Sequence, residues 1–97
     1  MNLELKNFKY WLSAKDSNEI VGERRDSCKC PIANWLNDTN NLSGRKVSVN
    51  HYYIYISPTE TLLANRWMRR FIMYTDTPNS PLCNVEEALF TLAKIEN

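Results

Sequence analysis

Cys28 and Cys30 stand one residue apart, directly before Pro31, and they are the side chains of this chain best placed to do chemistry. Proline suits the first position of a helix, where its missing N–H would have had no partner. Cys30 then falls on the N-cap, beside unpaired backbone N–H groups and the positive end of the helix dipole. Those surroundings stabilise a thiolate, and Lys29, Arg24 and Arg25 add positive charge nearby in sequence. A thiol-redox or nucleophilic role is the chemistry this implies. The spacing differs from the C-x-x-C of thioredoxin-type sites, however. Cys30 packed as a small hydrophobe explains the same residues.

A metal centre is the second possibility. Cys28, Cys30, Cys83 and the sole histidine, His51, are ligands of the type tetrahedral zinc takes. No second pair occurs at knuckle spacing, so the four would converge only through tertiary structure. Neither a metal nor any other cofactor is therefore expected. Other enzyme machinery is sparse. With glycine only at 22 and 44, neither the phosphate-binding loop nor the dinucleotide fingerprint can be written. A Cys30–His51 nucleophile pair lacks any supporting local signature. The chain reads as a non-enzyme.

The third constellation is cationic. Net charge is +1, which points to neither nucleic acid nor an anionic membrane, but its distribution is uneven. Residues 41–75 hold Arg45, Lys46, Arg66, Arg69 and Arg70 against Glu60 alone, whereas residues 76–97 hold Asp76, Glu86, Glu87 and Glu96 against Lys94. Arg66, Arg69 and Arg70 share one face at helical spacing, with Leu62 and Met73 among them. Arginine forks bind carboxylates and phosphates bidentately and are favoured at interfaces. Tyr52, Tyr53 and Tyr55 add aromatic surface that can stack on bases or bury against a protein.

These residues need elements to position them. Leu5, Phe8, Trp11 and Leu12 recur at helical spacing, which predicts a first helix over Leu3–Ala14. Asp16-Ser17-Asn18 caps a single helical turn through Val21, with Gly22 as its left-handed stop. After a polar loop over Glu23–Lys29, Pro31 opens a helix whose apolar face is Ile32, Ala33, Trp35 and Leu36. Lys46–Val49 and Tyr52–Ile56 alternate as strands, with a phase shift at Asn50-His51 that implies a tight hairpin turn or a bulge, and Ser57-Pro58 closes the second. Thr59–Thr75 is predicted as the longest helix, and Asn84 with Glu87 forms a capping box for the last one. The expected fold is a helix-rich α+β domain spanning 1–97. It has three N-terminal helical segments, a two-stranded hairpin and two C-terminal helices. Trp11, Trp35, Trp67, Phe71, Leu63, Leu89 and Leu92 are its expected core.

At 97 residues, 43% hydrophobic and 24% charged, the composition is that of a globular domain. No signal-like or membrane-spanning apolar run is present. Three cysteines, an odd number, suit a reducing compartment better than a secreted disulfide framework, and the cytoplasm is expected. A winged-helix reading, with Pro31–Asn37 as recognition helix, fails because that helix has no Arg or Lys. The favoured function is a non-catalytic binding or regulatory module. It docks on a macromolecule through Arg66, Arg69, Arg70, Leu62 and Met73, a protein before a nucleic acid. Thiol or zinc chemistry and nucleic-acid binding are the alternatives. A homodimer is open, because a lone hairpin is marginal in water.

Overall fold

Three helix starts follow caps that the sequence supplies, at Cys30, Asn65 and Asn84. The computed structural model describes residues 1–42, 44 and 46–96, so Arg45 and Ser43 lie outside the described residues. Helix α1 spans Leu5–Ser13. Helix α2 spans Pro31–Thr39, with Cys30 Sγ accepting from the Ala33 N–H at 3.4 Å. Helix α3 spans Arg66–Thr75, with Asn65 Oδ1 accepting from the Met68 N–H at 3.2 Å. Helix α4 spans Val85–Glu96. The expected box is present there: the Glu87 N–H donates to Asn84 Oδ1 at 2.8 Å, and the Asn84 N–H to Glu87 Oε1 at 3.1 Å.

The architecture is α+β but not the expected one. Among the described residues, four helices and five strands in two sheets replace three helical segments, one hairpin and two helices. Strands β2 (Ser48–Val49), β3 (Tyr53–Ser57) and β4 (Glu60–Leu63) form an antiparallel sheet in that order, while β1 (Ile20–Glu23) pairs with β5 (Leu82–Asn84). Two corrections follow. Residues 60–63 are a third strand, so the long helix begins at Arg66 rather than Thr59. Residues 20–23 are a strand rather than a helical turn, because their hydrogen-bonding partner lies some sixty residues on, at Ile20↔Asn84, Gly22↔Cys83 and Glu23↔Leu82.

Gly22 is accordingly not a left-handed stop; among the described residues only Arg25 and Gly44 have positive φ. Its lack of a side chain serves close approach. A Cβ there would stand 2.5 Å from Pro31 N, 2.7 Å from Pro31 Cδ and 2.8 Å from Cys30 C, all short of contact distance. The start of α2 thus rests directly on β1. Asn34 fixes the same junction, donating from Nδ2 to Val21 O at 2.8 Å and Lys29 O at 3.1 Å.

The core gathers around Phe8, fully buried on α1. Its ring lies 5.2 Å from Trp35, 5.5 Å from Trp67, 6.0 Å from Trp11 and 5.1 Å, edge-on, from Phe71. Such pairs add about 0.5–1.5 kcal/mol each beyond their burial. Leu12, Ile32, Leu36, Ile54, Met68 and Leu92 complete the apolar interior. Leu63, expected in the core, is 73% exposed, because period-2 alternation on β4 turns it outward while Leu62 and Ala64 face in. Trp11, Trp67 and Leu89 are half-buried at the core's edge.

Among the described residues one charged side chain, Arg24, is buried. The Arg24 side chain, 3% exposed, pairs through Nη2 with Glu87 Oε2 at 3.0 Å and donates from Nη1 to the carbonyls of Ser80 and Leu82. Next to it, Arg25 sits at φ 61° and donates from Nη1 and Nη2 to the carbonyls of Asp76, Pro78 and Asn79. The two arginines therefore grip the turn between α3 and β5. Neither arginine is among the groups that set the Cys30 thiol, contrary to expectation.

Two outcomes test this reading. Gly22→Ala must displace backbone, not a flexible side chain, and should lose about 3 kcal/mol or more in urea unfolding. The Asn84 N–H bond, and then Arg24, hold the Glu87 carboxyl below the usual glutamate range. A carboxyl lowered in the fold adds stability that is complete above its unfolded value, about 4.3, and is lost as pH falls through the folded one. The urea midpoint should decline below about pH 5, and Glu87→Gln should remove part of that slope.

Candidate functional site

The buried thiols are positioned by the β1–α2 junction and by β5, and neither is activated. Cys30 caps α2 as its position implies, yet it is 6% exposed. Burial pushes its thiol up to about 11, against the lowering pull of the Ala33 and Ile32 N–H groups. Desolvation outweighs the helix end, opposite to the expected activation. Cys83, buried on β5, is likewise pushed up to about 11 by burial, despite Arg24 nearby. Cys28 is exposed, in a turn where Asp26 Oδ1 accepts from the N–H groups of Cys28 and Lys29. All three are free thiols. His51 stands exposed in the β2–β3 connection. Among the described residues no group of three or more His, Cys, Asp or Glu could hold a metal ion, so Cys28, Cys30, Cys83 and His51 form no metal site.

The arginines are another matter. Helical spacing brings Arg66, Arg69 and Met73 onto the exposed side of α3, opposite buried Met68, Phe71, Ile72 and Thr75. Met73 is 64% exposed. The Arg66 and Arg69 side chains make no ion pair or hydrogen bond among the described residues. Arg70, on the flank, is half-buried and donates from Nη1 to Ile95 O at 3.1 Å, capping the end of α4. Leu62 is not part of this face; it lies on β4 and packs partly against the core.

Arg66 and Arg70 also line an open groove of about 1220 Å³ between α3, the N-terminal segment and the end of α4. The segment is held there by Leu3 O, which accepts from Trp67 Nε1 at 2.8 Å and Asn65 Nδ2 at 3.0 Å. Two acids, Glu4 and Glu96, line the same groove. Each is taken by an α1 lysine, Glu4 by Lys6 at 3.2 Å and Glu96 by Lys9 at 3.4 Å. The guanidiniums stay unneutralised. Arg66 and Arg69 sit in the first turns of α3, where a cation opposes the helix dipole by about 0.3–1 kcal/mol. They do not serve the helix that carries them.

The tyrosines turn outward. Tyr53 and Tyr55 are 41% and 40% exposed on β3, and Tyr52 is 58% exposed before it. Their rings run on from His51, with centroid spacings of 4.5, 6.4 and 5.9 Å along the row. Arg24 and Arg25, which sequence reasoning assigned to a polar loop, are the structurally committed cations; only their adjacency to the turn-rich stretch 76–82 in space reveals it. No protein-family model, curated protein or solved structure matches the chain.

Thiol chemistry separates the three cysteines. An aromatic disulfide reagent at neutral pH should take up one thiol promptly, from Cys28, and Cys28→Ser should abolish that phase. Cys30 and Cys83 should react only on unfolding. Because both keep their protons in the fold up to about 11, stability should fall as pH rises from about 9, where unfolded thiols ionise.

Proposed function

We propose that this chain is a non-catalytic docking module that binds a protein partner bearing an acidic segment, through Arg66, Arg69 and Met73 with Arg70 at the flank. The observation that carries this is the pair Arg66 and Arg69, exposed, unpaired and set against the dipole of their own helix. The acids nearest them in the groove are occupied by Lys6 and Lys9, so the free valence of the surface is for external carboxylates. Met73 supplies an adaptable apolar contact beside the charges. A regulatory role follows from binding without chemistry.

Nucleic acid is the competing partner, supported by the outward row of Tyr52, Tyr53 and Tyr55, which offers rings for stacking. The acidic protein is preferred because the described cations of the surface are few and the chain is nearly neutral. The cytoplasm fits this reading, since three free thiols persist in a reducing compartment. Among the described residues no helix is long and apolar enough to cross a membrane, and the reading requires none.

The double variant Arg66→Glu with Arg69→Glu tests it. Acids favour a helix N-terminus, so the variant should be at least as stable as the parent. It should bind a hexaglutamate probe about 100-fold more weakly, roughly tenfold per reversed charge. It should also lose the proteins captured from nuclease-treated lysate by the parent. Retention of the same captured proteins by the folded variant refutes the arginine surface. Capture that disappears with nuclease and falls steeply with salt transfers the reading to nucleic acid.

A further inference from the structure

The two edges of the three-stranded sheet are finished differently. On the β2 side the edge is covered: the Val49 N–H donates to Ser27 O at 2.8 Å, and the Val47 N–H to Asn37 Oδ1 at 2.9 Å. On the β4 side it is open. The register Ile54↔Leu62 and the bond from the Ala64 N–H to Tyr52 O turn the backbone groups of Leu62 and Ala64 toward β3. Alternation then turns those of Thr61 and Leu63 away from the sheet, where they find no partner among the described residues. Lysine and proline, the usual blocks on a free edge, are both missing from Glu60–Leu63.

We propose that β4 pairs antiparallel with β4 of a second copy of this chain, joining two three-stranded sheets across a two-fold axis. The edge is complementary to itself. Outward residues meet outward residues, and the register centred on Leu62 uses both of them: Thr61 lies opposite the partner's Leu63 and Leu63 opposite the partner's Thr61, each pair exchanging both N–H···O=C bonds. Leu62 then sits on the axis. On the outer face Leu63 lies beside Tyr53 and Thr61 beside Tyr55 in the monomer. Pairing continues each row, setting Leu63, 73% exposed, between Tyr53 and the partner's Thr61. Charge agrees with this register. Glu60 falls opposite the partner's uncharged Ala64, so no like charges are opposed. An unrelated peptide strand would satisfy the backbone but not this pairing of side chains.

Sedimentation equilibrium of the full chain should show a concentration-dependent species of twice 11.4 kDa. Amide exchange at Thr61 and Leu63 should slow as concentration rises. Thr61→Pro removes an N–H that the monomer does not use, and Leu63→Lys places a charge on the edge; both should be folded monomers. A parent that stays at 11.4 kDa up to about 1 mM overturns the proposal. So does a folded Thr61→Pro or Leu63→Lys that remains dimeric; if the proline variant fails to fold, the lysine variant decides. Neither substitution touches Arg69 or Met73, so loss of the dimer with retained hexaglutamate binding separates this edge from the arginine face.

Discussion

A guanidinium removed from water has to be surrounded by acceptors, and the placement of Arg24 depends on that requirement. Its acceptors come from separate parts of the chain: the carbonyls of Ser80 and Leu82 in the turn before β5, and Glu87 on α4. The Arg24 N–H adds a further bond to Pro81 O at 2.7 Å. Hydrogen bonds to a charged group contribute about 1.5–3 kcal/mol each, whereas a two-stranded ribbon as short as β1–β5 is barely stable alone. Arg24 therefore anchors the ribbon, the turn and the start of α4 as one unit. Arg25 grips the other end of the same turn, and its left-handed backbone, at φ 61°, is what lets adjacent arginines reach opposite ends. That conformation costs about 1–2 kcal/mol for a residue with a Cβ, offset by its bonds to Asp76, Pro78 and Asn79.

Elements with local signatures were legible in the sequence. Helix α2 carries its proline, α4 its Asn84–Glu87 box, and the β2–β3 hairpin its alternation around Asn50, whose side chain accepts from the Tyr52 and Tyr53 N–H groups. Strand β1 was not legible, because its partner is distant in sequence and four residues carry no period of their own. Strand β4 was hidden for another reason: Leu62, Leu63 and Ala64 fit a helical stripe as well as a strand. Asn65 held the missing signal, since a capping residue there starts the helix after the strand has ended. Within the candidate site, the shared face of Arg66, Arg69 and Met73 was readable from spacing. The displacement of Leu62 was not, since it depended on that boundary.

The balance at Cys30 shows how two local effects compete. A helix start favours a thiolate, and the predicted geometry is present, with the Ala33 N–H directed at sulfur. Burial nevertheless dominates, since Gly22 lets β1 close over the Cys30–Pro31 peptide. The same contact that positions α2 thus silences the cysteine at its head. What the surface presents is a pair of exposed guanidiniums, an outward row of phenols and one open strand edge.

Pairing of β1 with β5 also has a consequence for how the chain is made. A ribosome delivers Ile20–Glu23 long before Leu82–Asn84, so the first strand waits unpaired, and Arg24 without its acceptors, until those residues have emerged. Packing α1 and α2 around Phe8 can begin earlier, but the ribbon closes only after β5 is made. A nascent chain, or one shortened before residue 82, would expose an orphan strand beside a cation still in water, the kind of open edge that invites proteases and chaperones.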